Sequence, residues 1–401
     1  MTNFGFIFGS LGQIISLCIF IFLSLIFIFI IDYKDKKLLS RSLLIYFWHT
    51  GFSFFYLYLS LTSVSDSLSY FEDAYYGDIL INKTPAVIFI SSLISILIKF
   101  LNFSYLGVFI FYNFIGILAL LLIDRSLNNF IVSENKISKL IRNIIVFLPS
   151  ISFWSASIGK DTIALFALSL LFWLYIKKKN FILIFLTFLL FSFVRPQHAS
   201  VLFFSSVLTL FFIDNRNFRL INFKYFKFFL FLNIFILSLF SLNYILSLTG
   251  LGVQIDNYSK ILSFETLSIL NEKLKIRQTL PDYHGSGYIQ LQNLYLFSEI
   301  YTYIFRPMIF ESNNIFTFVS SIENTFLLIL FIYALYCFCN HKIIKDKDKI
   351  FVIFFITALI PLSVLTPNFG ISARQKWIIL IPFFYFLIST IEIYFATKKI
   401  K

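Results

Sequence analysis

The chain has 401 residues, 59% of them hydrophobic and 13% charged, with a formal net charge of +13. Soluble domains carry about 25% charged residues, so this composition excludes a water-soluble globular protein and points to a polytopic membrane protein. The basic excess falls mostly in short connections between apolar runs, where the cytoplasmic preference of Lys and Arg accounts for it without nucleic acid.

The first apolar run, 4–31, lacks a basic leader and a small-residue cleavage site, so it is expected to persist as a span. It ends at the cluster Asp32–Lys37 with Arg41, which places the N-terminus outside. Run 42–62 crosses outward to an acidic, aromatic loop, 63–82, carrying Asp66, Glu72, Asp73 and Asp78. Runs 85–101 and 104–123 then precede 124–142, whose Arg125, Lys136, Lys139 and Arg142 mark it as cytoplasmic. Two full crossings would break the alternation, so 85–101 is expected to be re-entrant or to lie against the outer face.

Run 143–158 leads out to Lys160 and Asp161, and 162–176 returns to Lys177–Lys179. Run 180–194 reaches Arg195 and His198, and 199–213 comes back to a basic stretch from Arg216 to Lys227. Run 228–249 goes out to a large periplasmic loop, 250–314, with an amphipathic helix from Leu294 to Tyr303. Arg306 and Glu311 sit at the mouth of the next span, 315–339, and Glu323 lies just inside it. That span returns to Lys342–Lys349, 350–365 leads out to Arg374, and 377–396 ends inside at Lys398. The expected fold is all-α: a single integral membrane domain, 1–401, of about eleven transmembrane helices plus the re-entrant or outer-face helix, counting about 20 residues per crossing.

This topology gathers Asp66, Lys160, Asp161, Arg195, Arg306, Glu311, Glu323 and Arg374 on the outer side. The arms of the hairpin 180–213 are short. At about 15 residues and 1.5 Å per residue each rises about 22 Å, against a hydrocarbon core about 30 Å thick. Arg195 would then stop below the outer headgroups, where a charge needs an ion pair, water or an anion. Either a cavity lined by basic groups and carboxylates opens there, or the charges pair internally, Arg195 with Glu311 for example. Arg306 and Glu311 would equally serve as a helix-end anchor at the headgroups.

Guanidinium forks grip phosphate with two teeth and stay charged, which suits the diphosphate of a lipid-linked substrate. Asp66, just beyond a span, is placed to take the proton of an attacking sugar hydroxyl. It also suits the opening of a short helix, a role compatible with catalysis. A phosphate leaving group needs electrostatic stabilisation by Arg or Lys rather than a proton. His198 reads as a hydrogen-bonding neighbour of Arg195, and His49, inside a span, as a packed polar residue. Cys18, Cys337 and Cys339 lie in apolar runs as packing residues, and no His or Cys cluster has metal-ligand spacing.

Short stretches carry a resemblance: S-D-S-L-S-Y at 65–70, P-S-I-S-F-W-S-A-S-I-G-K-D at 149–161, R-P-Q-H at 195–198, R-P-M-I-F-E at 306–311, S-I-E-N at 321–324 and A-R-Q-K at 373–376. With these the chain resembles the bacterial O-antigen and exopolysaccharide repeat-unit polymerases, among the C-type, lipid-carrier-dependent membrane glycosyltransferases. The resemblance implies polyprenyl-diphosphate-linked glycan substrates; no cofactor is expected, and the sequence leaves open whether a chain-length regulator acts as partner. It also implies outer-loop arginines that hold diphosphate, here Arg195, Arg306 and Arg374, with Asp66 as base. Loop 250–300 matches no part of that pattern. Two other functions fit the residues less fully. A transferase of single sugars from a polyprenyl phosphate would use Glu72 and Asp73. A lipid-linked-glycan flippase would be expected to show repeated halves, which the sequence lacks.

Overall fold

The computed structural model describes residues 7–63, 65–77, 84–132, 135–178, 180–212, 295–341, 344–345, 348–366 and 369–398. Run 228–249 and the part of the expected periplasmic loop from 250 to 294 lie outside the described residues. Every regular element among the described residues is helical. The chain divides into two compact units, 1–195 and 196–401.

The first unit contains α1 (Leu11–Asp32), α2 (Lys36–Thr62), α3 (Asp66–Tyr76), α4 (Pro85–Leu101), α5 (Tyr105–Phe130), α6 (Lys136–Val146), α7 (Pro149–Ser155), α8 (Lys160–Ile176) and α9 (Phe181–Val194). Their starts are written in the sequence. Ser10 and Gln13 close a capping box on α1, and the Asp35 carboxylate accepts from Lys37 and Leu38 N–H at 2.9 and 3.1 Å to open α2. Pro85 and Pro149 occupy first-turn positions, where a missing N–H costs nothing. Gly77, at φ 87°, ends α3 in the left-handed region that a side chain would disfavour.

Helix α5 is the centre of this unit, packing on α8, α2, α1 and α6, while α9 lies on α8 and α3 on α4. Its most apolar 18-residue stretch is 72% buried, against 17% for α1, which turns Leu11, Ile15, Phe22 and Ile30 outward. Such a face suits lipid, and among lipid tails helices hold together by packing and hydrogen bonds rather than by the hydrophobic effect. Gly116 shows how tight the packing is: a Cβ there would lie 2.4 Å from both His49 Cε1 and the Ser155 carbonyl oxygen. That approach lets His49 bridge α5 and α7, with Nδ1 2.6 Å from Asn113 Oδ1 and Nε2 2.9 Å from Ser155 Oγ. His49 is thus a packed polar residue with partners on both ring nitrogens.

The second unit contains α10 (Pro196–Phe212), α11 (Leu296–Phe305), α12 (Ile315–His341), α13 (Lys349–Leu365) and α14 (Phe369–Lys398), with a 3₁₀ turn at Ile309–Glu311. Helix α13 packs on α10, α11 and α14, and α14 also packs on α12 and α11. Tilted and edge-on aromatics fill the seams; Phe383 of α14 lies 5.7 Å from Phe331 of α12 and 5.2 Å from Phe355 of α13 between ring centres. Pro361 and Pro382 sit inside α13 and α14, as membrane helices tolerate when neighbours satisfy the freed carbonyls.

The expected number of crossings is reduced. Among the described residues five helical stretches are long and apolar enough to cross a membrane: Leu11–Asp32, Tyr105–Phe130, Lys136–Ser155, Ile315–Asn340 and Gly370–Lys398. Pro85–Leu101, Phe181–Val194 and Lys349–Val364 are apolar but shorter. At 14 and 17 residues, α9 and α4 rise about 21 and 26 Å, less than the hydrocarbon thickness. Helix α2 has the length, 27 residues, but its serines, tyrosines and His49 dilute its apolarity.

Several helices also run past the apolar runs that announced them. Residues 124–130, read as the start of a polar connection, complete α5, and Lys136–Arg142 open α6. Charge pairing explains the difference. The buried Asp124 carboxylate receives forks from Arg41 and Arg142, with Nε at 2.9 and 2.8 Å, and Asp32 receives Arg125 at 2.8 Å. This ionic knot ties together α1, α2, α5 and α6. Lys177, just after α8, joins it through Asn129, at 2.8 Å.

Candidate functional site

Asp66 is the first residue of α3. Ser65 caps that helix, its Oγ accepting from Leu68 N–H at 3.3 Å, and Ser67 Oγ donates to the Ile158 carbonyl at 2.8 Å. These bonds tie α3 to the 156–159 segment and leave Asp66 on the exposed side. At a helix N-terminus its charge meets the positive end of the helix dipole. The capping role itself belongs to Ser65. Glu72 and Asp73 lie near the other end of α3, Glu72 exposed.

The same segment delivers Lys160 and Asp161. Lys160 opens α8 with its ammonium 5.8 Å from the centre of the Tyr70 ring on α3. Asp161, in the first turn of α8, is buried and forms an ion pair with Arg195. Arg195 caps the end of α9, its N–H donating to the Phe191 carbonyl at 2.8 Å, so the side chain leaves the helix exactly where the helix stops being able to continue, before Pro196. The internal partner of Arg195 is therefore Asp161. Its side chain keeps 14% exposure.

In the second unit Arg306 occupies the equivalent kind of position, just after α11, followed by a cis Arg306–Pro307 peptide. The chain then makes the 3₁₀ turn and folds the Glu311 carboxylate back. Arg306 Nε donates to Glu311 Oε1 and Oε2 at 2.8 and 3.1 Å, and Met308 N–H donates to Oε2 at 2.8 Å. Burial opposes the charge on Glu311, but the bonds from Arg306 and Met308 and the charge of Arg306 outweigh it and hold the carboxyl below its ordinary range. The Arg306 side chain remains 31% exposed.

Behind this turn stand residues buried within the unit. Glu323 and Asn324 lie on α12, 5% and 0% exposed, and Lys376 lies on α14 at 2%. Lys376 Nζ donates to Asn324 Oδ1 at 2.5 Å and faces the Ile304 carbonyl at 3.5 Å, while Asn324 Nδ2 donates to the Pro307 carbonyl at 3.0 Å. Arg374 is half-buried in the second turn of α14, on a helix rather than on the loop the sequence suggested. His198, in the first turn of α10, is buried.

The structure therefore brings Asp161 to Arg195, Lys160 to the helix of Asp66, and Glu311 to Arg306. It adds Lys376 and Asn324, which sequence reasoning quoted within motifs but gave no role. Their signal was weak: Lys376 stands at the edge of an apolar run, and only the extension of α14 back to Phe369 turns that edge into helix interior. Among the described residues no group of three or more His, Cys, Asp or Glu side chains has the proximity to hold a metal ion. Comparison with protein-family models, with curated proteins and with solved structures found no match.

Proposed function

We propose that this protein is a membrane glycosyltransferase that joins lipid-linked oligosaccharide repeat units at the outer face of the cytoplasmic membrane. The observation that carries the reading is Arg306, a partly exposed guanidinium fixed by Glu311 at a helix break in a unit of apolar helices. A fork of fixed geometry suits the diphosphate of a polyprenyl-diphosphate-linked donor, where it offsets charge as the bond to the sugar breaks. Asp66 is assigned as the base that accepts the proton of the attacking hydroxyl. Arg195, half-buried and paired with Asp161, and Arg374 are further anion-binding candidates, with Lys160, His198 and Glu323 as supporting groups. The finer topology belongs to this reading: N-terminus outside, C-terminus inside, and further crossings by the shorter apolar helices.

Transfer of a single sugar is the second reading, favoured by the adjacent Glu72 and Asp73 on the helix that Asp66 opens. The proposal is tested by binding of a polyprenyl-diphosphate analogue to the detergent-solubilised protein. Arg306→Gln is expected to weaken binding at least about tenfold while the protein elutes as a single folded species, since hydrogen bonds to charged groups contribute about 1.5–3 kcal/mol. Wild-type affinity in the folded variant would remove Arg306 from the site.

A further inference from the structure

The tip of the turn that presents Arg306 buries little apolar surface: Ile309 is 46% exposed and Phe310 84%. Besides its packing on α12 and the bonds Glu311 accepts from Arg306 and Met308, the segment is held by a relay from the interior. The Lys376 ammonium on α14 reaches the Ile304 carbonyl directly and the Pro307 carbonyl through Asn324, so the backbone is tied on both sides of Arg306. An ammonium bonded to the oxygen of a carboxamide polarises it and strengthens donation from its nitrogen, which here faces Pro307. Burying a lysine is costly. At 2% exposure Lys376 does not itself meet a ligand.

We propose that Lys376 is a positioning residue that fixes Arg306 for anion binding, acting through Asn324. The inference rests on the diphosphate reading of Arg306 for its purpose, but the tether stands or falls by itself. Two readouts separate the two. Full-length protein in detergent, with Cys18, Cys337 and Cys339 replaced by Ala, carries a spin label at Phe310→Cys. Lys376→Met removes the charge at similar length, and Asn324→Asp keeps the size of the side chain but removes the donor to Pro307.

In each variant the label is expected to move severalfold faster than in the parent. The double variant should add nothing further, because both residues belong to one relay. Binding of the polyprenyl-diphosphate analogue should weaken about 10- to 100-fold in the same variants, the range expected when a binding group is misplaced by about an ångström. Both measurements are made on the fraction that elutes as a single species. If Lys376→Met does not fold, Asn324→Asp decides alone. Unchanged label motion in a folded single variant overturns the tether. Faster motion with wild-type analogue affinity upholds the tether and overturns the diphosphate reading of Arg306.

Discussion

Arg306 and Glu311 illustrate how six residues of sequence specify a local device. The arginine stands at the last carbonyls of α11, proline ends the helix, and the carboxylate returns through one 3₁₀ turn to meet the guanidinium and the Met308 N–H. Because the Glu311 carboxyl is held below its ordinary range, its contribution to the turn is present above the unfolded value, about 4.3, and is lost as pH falls through the lower folded one. The label at Phe310→Cys should therefore move uniformly from pH 8 to 5 and loosen only at more acidic values; loosening near pH 6 would contradict this assignment. Asp66 makes a complementary case. It is exposed at a helix N-terminus that Ser65 already caps, so Asp66→Asn should change stability by no more than about 1 kcal/mol. Product formation should nonetheless fall at least about 100-fold if the carboxylate is the base. Equal product from the variant would leave Asp66 with no part in the chemistry.

At the scale of the helices, apolar runs and capping residues made most elements legible. The amphipathic stretch expected at Leu294–Tyr303 is α11, Leu296–Phe305, and Pro149 and Asn180 open helices where such residues should. What the runs concealed were the charged turns added to the helices. Asp124 and Arg125 read as the start of a connection because a charge beside an apolar run ordinarily leaves the membrane. Here their partners come from residues 83 and 93 positions away, a pairing that no local pattern reveals. The same holds for Lys376, whose partner lies 52 residues earlier. The knot carries its own prediction. Asp124→Asn leaves Arg41 and Arg142 without their shared anion, and removing one partner of a buried pair costs about 3–5 kcal/mol. Thermal unfolding in detergent and membrane abundance should both fall. Asp66→Asn, measured alongside, should leave both near wild type.

At the scale of the whole molecule, composition was enough to place this chain among membrane proteins, and among the described residues five helices have the length and apolarity to cross. Eleven crossings were more than the described residues show because alternation by basic clusters counts runs such as 180–194 as full spans although the helix there is too short, and one of the eleven, 228–249, lies outside the described residues. Orientation is open to direct measurement on a cysteine-free background. With the N-terminus outside, a cysteine at exposed Asn313, near Arg306, should react with an impermeant reagent added to intact cells, and one at exposed Lys177 or Lys178 should not. The reverse pattern would put Arg306 on the cytoplasmic face and remove the outer-face reaction.

The proposed activity, extension of glycans on a lipid diphosphate, is tested with the purified protein in lipid nanodiscs, supplied with a polyprenyl-diphosphate-linked repeat unit, with products separated by length. A ladder spaced by whole repeat units is expected, absent in folded Asp66→Asn and Arg306→Gln variants. A single fixed increment, or substrate left unchanged by the wild-type protein, would contradict it.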